Sequence, residues 1–259
     1  MKGIDQYLER AYELKIIPNF WLTREYLSIQ PNIKLETDRK FIWLQEDEWA
    51  VFPPLPLNCK DFSEQPPKRL RIWSDFVDYS VGEPIQFLDW EYTYYSTNFF
   101  DMRGGKWEAF RKNSRKWLRR NEGCWTYTTD VPSSFEIQSL LVKWLDNKKD
   151  EEIADSESLI WFVFNGSNRA FLKRKGELVG MNVWDKNGIW LIYRYCIADP
   201  NERFLDEFLR LLFYRSVPGR LVIDGGVLDN PGLERFKDKL NPIRKRPVYS
   251  RLIEVPKYK

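Results

Sequence analysis

Hydrophobic and polar positions along this chain change period several times, and each change predicts an element. Tyr7, Leu8, Ala11 and Leu14 recur at helical spacing and predict a helix over 4–15, stopped by Pro18. A second helical stretch is read over 21–27. Strands are predicted over 40–45 and 48–52 as a hairpin around Glu46-Asp47, ending at Pro53-Pro54, with a Pro-rich connection over 55–67. Further strand candidates lie at 70–73 and 85–88, before the acidic and aromatic segment Asp89-Trp90-Glu91-Tyr92-Thr93-Tyr94-Tyr95. A basic amphipathic helix then occupies the segment 104–120. Trp107, Phe110, Ser114, Trp117 and Leu118 share one face, while Arg111, Arg115 and Arg119 line up at i, i+4, i+8 with Lys112, Lys116 and Arg120 beside them.

After Gly123 the pattern restarts. A strand over 124–128, a cap at Pro132-Ser133-Ser134 and an amphipathic helix over 135–145 are followed by an acidic, polar loop over 151–158. Four strands are predicted in quick succession, over 159–164, 169–175, 177–184 and 189–197, with turns at Asn165-Gly166, Lys175-Gly176 and Asn187-Gly188 that suit an antiparallel meander. A helix over 202–216, a strand over 220–224, a helix over 232–240 and a strand over 248–255 complete the chain.

Composition narrows the chemistry. The 259 residues are 43% hydrophobic and 31% charged with a formal net charge of +3, which describes a globular protein of one large or two small domains. It carries 12 Trp, 13 Tyr and 17 Phe but no His. Without histidine there is no Ser-His-Asp or Cys-His relay, no His-ligated metal and no imidazole proton shuttle. Catalysis must run on carboxylates, Tyr, Lys, Cys, backbone amides or the substrate itself. Cys59, Cys124 and Cys196 are too few and too scattered for a disulfide framework or a CxxC site, so a reducing, cytoplasmic setting is expected. No stretch reaches the ~20 apolar residues of a membrane span, so no integral membrane association is expected.

Three strings carry a resemblance. Asp89-Trp90-Glu91-Tyr92-Thr93-Tyr94 leads to Met102-Arg103-Gly104-Gly105-Lys106-Trp107 and the basic helix; Glu177-Leu178-Val179-Gly180 marks a strand turn; Pro231-Gly232-Leu233-Glu234-Arg235-Phe236-Lys237 precedes Asn241-Pro242. In this order they resemble the soluble lysyltransferase-like domain of bacterial phosphatidylglycerol lysyltransferases, a branch of the GNAT-fold acyltransferases, and more distantly the FemAB aminoacyltransferases. The resemblance implies an α+β fold of tandem GNAT-like halves, each a mixed, mostly antiparallel sheet flanked by helices. The halves are placed at 1–123, with the basic helix, and at 124–259, the catalytic half. It further implies acyl or aminoacyl transfer to an amine, with amide formation by direct attack on an activated donor.

That donor is a co-substrate rather than a permanently bound cofactor, and no metal is implied. Two features of this chain depart from the acyl-CoA pattern: the phosphate-binding turn reads Ala198-Asp199-Pro200-Asn201-Glu202-Arg203-Phe204, with no glycine and two carboxylates, and Phe236 stands where a general-acid Tyr is common. Aminoacyl-tRNA and acyl-CoA both stay open, with the departures favouring the former. The partner expected is a phosphate-bearing donor, tRNA among the candidates. The alternative is a nucleic-acid-binding protein, or an acyltransferase acting on a modified base in DNA or RNA.

The candidate site follows from the strand ends. Asp224 closes the apolar strand Leu221-Val222-Ile223 and is placed as amine binder or proton acceptor, against a simpler role in capping the Gly225-Gly226 turn. Tyr193 and Tyr195 flank the expected reaction point, and backbone N–H groups where two strands part supply an oxyanion donor. Arg194 lies between them, so strict alternation turns it to the opposite face, where it binds a carboxylate or phosphate if that face is inward. Lys237 matches the family's Phe-Lys pair and is placed on a donor phosphate, against a role in balancing the helix dipole. Arg111 and Arg115 are the expected polyanion contacts, and Trp107 and Trp117 the aromatic ones, although core packing accounts for most aromatics here.

Overall fold

The computed structural model describes residues 2–57, 70–76, 82–148, 155–226 and 230–253. Cys59, most of the Pro-rich connection, the loop residues 151–154 and the end of the last predicted strand lie outside these. The chain packs as two compact units, Met1–Glu91 with Lys245–Lys259, and Tyr92–Arg244. The basic helix therefore packs with the elements that follow it.

The first unit opens with α1 (Lys2–Glu13) and α2 (Arg24–Ser28). Helix α2 starts later than its apolar pattern suggests, because Asn19 Oδ1 accepts from the N–H of Trp21 and Leu22 and holds them in a turn. Thr23 then caps the helix through Tyr26 N. Strands β1 (Lys34–Thr37), β2 (Phe41–Glu46), β3 (Trp49–Ala50) and β4 (Leu55–Pro56) follow, then β5 (Leu70–Ile72), β6 (Glu83–Tyr95) and, at the far end of the chain, β12 (Arg244–Ile253). The order is β1-β2-β3-β5-β12-β6, with β4 on β2. Tyr7, Leu44, Phe52 and Phe76 form the core with Leu22 and Leu27. Strand β6 runs unbroken through the two segments read separately, and within this unit its Glu91 meets Arg246 Nε at 3.0 Å. Arg251 Nε and Asp75 Oδ2 pair at 2.7 Å.

The second unit contains α3 (Asn98–Asp101), a single 3-10 turn (Gly105–Trp107), α4 (Glu108–Arg120), β7 (Trp125–Thr128), α5 (Ser134–Asp146) and α6 (Ser156–Asn165). It continues through β8 (Asn168–Arg174), β9 (Glu177–Asn187), β10 (Trp190–Ala198), α7 (Leu205–Ser216), β11 (Leu221–Gly225) and α8 (Pro231–Lys239). Its strands run in the order β6-β11-β10-β9-β8-β7; β7 through β10 are antiparallel neighbours and β10 with β11 is parallel. This is the mixed, mostly antiparallel sheet with flanking helices that the sequence predicts. Lys175 and Gly176 both take positive φ, 50° and 86°, as the tight β8–β9 hairpin demands.

One predicted strand is a helix. Residues 159–164 lie in α6, where Asp155 Oδ1 accepts from Ser158 N at 2.9 Å and starts the helix. Leu159, Phe162 and Val163 are buried at i, i+3, i+4 while Ile160 is exposed, so helical period overrides the β-propensity of the run. Asn165-Gly166 is then a helix end rather than a hairpin turn, and a Cβ on Gly166 would lie 2.6 Å from the Phe162 carbonyl oxygen.

Helix α5 begins at a capping box in which Ser133 and Glu136 satisfy each other's backbone N–H. Replacing Ser133 by Ala is expected to cost about 1 kcal/mol in urea unfolding. Gly180, the glycine of the second resemblance string, has its own cause: a Cβ there would approach Leu209 Cδ1 of α7 to 2.4 Å. Leu209 is fully buried and has little room to yield, so Gly180→Ala is expected to destabilise by about 1–2 kcal/mol in the same measurement. No helix among the described residues is long and apolar enough to cross a membrane.

Candidate active site

Strand β10 carries the first irregularity. Its ladder with β9 shifts between Tyr193 and Tyr195, leaving Arg194 as the extra residue of a bulge. A bulge breaks alternation, and here Arg194 and Tyr195 turn to the same face: the Arg194 guanidinium lies 5.0 Å from the Phe162 ring and the Tyr195 ring 6.3 Å from it. Tyr193 faces α7, stacked on Phe213 at 4.3 Å, and Cys196 packs on the same side with Trp117 and Phe208. The expectation that Arg194 opposes both tyrosines therefore holds for Tyr193 and fails for Tyr195. The parallel ladder of β10 with β11 ends at Tyr193 and Asp224, while β10 continues to Ala198. Beyond Tyr193 the two strands share no ladder, and β11 itself ends at Gly225.

The polar groups around this parting are mostly engaged with one another. Asp224 is buried between two cations: Oδ2 accepts from Arg210 and Oδ1 from Lys237, each at 2.7 Å. Burial opposes its ionisation, yet Lys237 and then Arg210 hold the carboxyl below its usual range. Lys237 Nζ also donates to the carbonyls of Gly225 at 2.6 Å and Gly226 at 3.2 Å, so the lysine placed on a donor phosphate instead closes the turn after β11. Arg194 is buried against Asp185 at 3.4 Å. Tyr193 donates to Asn182, whose amide in turn reaches Tyr127 Oη and the Leu209 carbonyl. The Tyr195 phenol is pushed up to about 12, by burial first and against the pull of Arg194. Burial likewise pushes the Cys196 thiol up to about 11, leaving it protonated and a poor nucleophile.

Arg210 and Asn182 are the residues that sequence reasoning missed. Arg210 is the sole charge among the buried positions of α7, a signal present in the apolar pattern of that helix but masked by its otherwise ordinary amphipathicity. Asn182 sits buried in a strand of apolar neighbours, where an amide survives only by hydrogen bonding.

The basic helix divides its residues differently from the helical wheel. Trp107 and Trp117 are 3% and 1% exposed, the first edge-on to Phe99 and the second stacked on Phe208 at 4.5 Å, so neither offers a ring to a ligand. Leu118 is exposed rather than packed. Arg111 donates to the carbonyls of Met102 and Gly104 and so ties down the chain after α3. Arg115, by contrast, is exposed with Lys112, Arg119 and Arg120.

A cleft of about 380 Å³ at the start of the helix is lined by Gly105, Lys106, Glu108, Ala109, Lys112 and Lys239. Farther along, Lys116, Arg120 and Arg203 all approach the Phe204 ring, at 4.9, 5.7 and 4.7 Å, just before α7. The two carboxylates of that connection are matched by cations. Asp199 pairs with Lys143 at 3.0 Å, and Glu202 pairs with Arg174 while accepting from Trp117 Nε1. Among the described residues no group of three His, Cys, Asp or Glu side chains could hold a metal ion.

No family model matches the chain, and no curated protein does. Solved structures do. A conserved protein of unknown function from Bacteroides thetaiotaomicron is 13% identical, with 95% of this chain and 92% of that one covered and a TM-score of 0.67. The C-terminal domain of a protein assigned as lysylphosphatidylglycerol synthetase from Agrobacterium fabrum, also 13% identical, covers 98% of this chain and 92% of its own at a TM-score of 0.56. L-PGS from Bacillus licheniformis is 13% identical over 95% of this chain and 91% of its own, at 0.55. At such identities the likeness is one of fold. The chain shares the fold of that C-terminal domain and of L-PGS from Bacillus licheniformis.

Proposed function

We propose that this protein is an acyl- or aminoacyltransferase that forms an amide on an amine acceptor at the parting of β10 and β11. One observation carries the reading: the β10 bulge at Arg194 coincides with the end of the β10–β11 ladder at Tyr193 and Asp224, the point in this sheet where two parallel neighbours cease to pair. In this reading an acyl carbonyl seated there accepts from backbone N–H groups at the ladder end, which stabilise its developing oxyanion. The amine nitrogen attacks the carbonyl carbon, the bond to the donor oxygen or sulfur breaks, and the amine proton passes to water. Tyr195, whose phenol keeps its proton at neutral pH, is placed to protonate the leaving group. The donor's phosphate lies near Lys116, Arg120 and Arg203 around Phe204, where the local carboxylates are already neutralised. That neutralisation answers one of the departures from the acyl-CoA pattern, the two carboxylates, while the missing glycine and Phe236 stand, so both aminoacyl-tRNA and acyl-CoA enter the test.

The test is amide formation from labelled acyl-CoA and labelled aminoacyl-tRNA with a panel of amines, read by mass spectrometry. Product from one donor class, reduced about 10–100-fold in Tyr195→Phe, is the expected result; no product from either donor overturns the reading. A second reading, polyanion binding without transfer, is favoured by the exposed Arg115 and Arg119 and by the three lysines of the cleft. It predicts nucleic-acid affinity that falls steeply with salt and by roughly one unit of salt slope in Arg115→Gln, with Tyr195→Phe neutral.

A further inference from the structure

Arg210 has more hydrogen-bonding capacity than its surroundings use. A guanidinium carries five N–H donors, and among the described residues Asp224 Oδ2 is its only hydrogen-bond acceptor. Asp224 itself divides its two oxygens between Arg210 and Lys237, so a single carboxylate serves two cations. The Arg210 guanidinium carbon is 5.0 Å from the centre of the Tyr193 ring and 5.5 Å from that of Phe236, which restricts the orientation of its plane. Its side chain keeps 11% exposure, against 2% for Lys237, so part of the arginine stays accessible where the lysine is sealed.

A second observation points the same way. Tyr214 is completely buried, stacked on Phe99 at 3.7 Å, and its hydroxyl has no hydrogen-bond partner among the described residues. Tyr214 lies one helical turn after Arg210 in α7, and both flank the Tyr193 ring, the guanidinium carbon at 5.0 Å and the Tyr214 ring at 6.1 Å from its centre. Buried hydroxyls are almost always bonded, and an orphan beside a partly satisfied arginine calls for an acceptor that would complete both.

We propose that Arg210 and Tyr214 form a subsite for one oxyanion group, a carboxylate or a phosphate, of the molecule that occupies the end of the β10–β11 ladder. The free edge of the guanidinium takes two oxygens side by side, as the planar fork favours, and the Tyr214 hydroxyl donates from the floor. Asp224 acts as the anchor that holds the fork in place. The inference shares with the acyl-transfer reading only its location, and binding is measured without turnover, so either can fail while the other stands.

Thermal unfolding in sodium phosphate and in sodium acetate, each against sodium chloride at equal ionic strength, tests it. A saturable rise in Tm of about 2–4 °C is expected with at least one of the two anions. Response to both marks a general oxyanion site, and response to phosphate alone a phosphoryl site. Arg210→Lys keeps the charge opposite Asp224 but removes the fork, and is expected to weaken the response about 10-fold in half-saturating concentration. Tyr214→Phe is expected to melt at or above the parent temperature without anion, because it removes an unbonded hydroxyl, and yet to bind the anion more weakly. Arg103→Gln, at an 87% exposed side chain, is expected to behave as the parent. No anion response beyond chloride, or one unchanged in both Arg210→Lys and Tyr214→Phe, overturns the proposal.

Discussion

Asp224→Ala is expected to lower the unfolding free energy by about 3–5 kcal/mol, because it leaves two buried cations without their shared carboxylate. Lys237 is 2% exposed and Arg210 9%, so water replaces the lost carboxylate poorly at the arginine and not at all at the lysine without local unfolding. The same carboxyl gives the protein an acid limit. Its pKa is held below the ordinary value, so the stability it contributes is complete above the unfolded-state pKa near 4 and is lost as pH falls through the lower, folded value. Urea unfolding at pH 7 and again between pH 5 and 3 reads both effects. Asp224→Ala should show a lower midpoint at pH 7 and a shallower decline on acidification. A cost below about 1 kcal/mol would mean that the two cations find other acceptors, and that the triad is not what closes the end of β11. Loss of transfer activity in this variant alone therefore does not make Asp224 a proton acceptor; activity must be compared at a temperature where the variant remains folded.

Much of the second unit is legible from residues because its signals are local. Lys175-Gly176 and Asn187-Gly188 mark hairpins whose backbones take positive φ at Lys175, Gly176 and Gly188, and turn chemistry acts within four residues. The capping box at Ser133 is equally local. What sequence reading misplaces depends on a neighbour brought in by the fold. The run Leu159 to Phe164 has strand-like composition, and only the Asp155 cap and the one-sided burial of Leu159, Phe162 and Val163 decide for helix.

Arg194 and Tyr195 share a face because a bulge, invisible in the sequence, inserts one residue against β9. Trp107 and Trp117 look available on a basic helix, but Phe99 and Phe208, far along the chain from one another, cover them. The strand ends do bring Tyr193 and Asp224 side by side, as the sequence suggests. Asp224 and Lys237 are both in place, engaged with each other, and the residue with donors to spare is Arg210.

A second titration should oppose the first, and it resides at the contact of α4 with α7. Glu207 is half-buried, with Oε1 accepting from Asn113 Nδ2 at 2.8 Å and Asp206 beside it in the first turn of α7. Burial first, and then the hydrogen bond and charge of Asp206, push its carboxyl up to about 7. A folded pKa above the unfolded one means that protonated Glu207 stabilises the fold: the contribution is complete below about pH 4.5 and is lost as pH rises through about 7. The full shift corresponds to about 3 kcal/mol, and contact with solvent reduces this to about 1–2 kcal/mol.

Urea unfolding at pH 5, 6.5 and 8 should show stability falling across this range, in a window well above that of Asp224. Glu207→Gln keeps an acceptor for Asn113 without the charge, so it should flatten the dependence and exceed the parent in stability at pH 8. A parent profile that is flat from pH 5 to 8, or a glutamine variant that still declines, would place the carboxylate in water rather than in the α4–α7 seam. Because α4 carries Lys116 and Arg120 to the Phe204 ring at the start of α7, this seam also sets how firmly those cations are held. Phosphate contacts made there are accordingly expected to tighten at pH 6 relative to pH 8 in the parent and to lose that difference in Glu207→Gln.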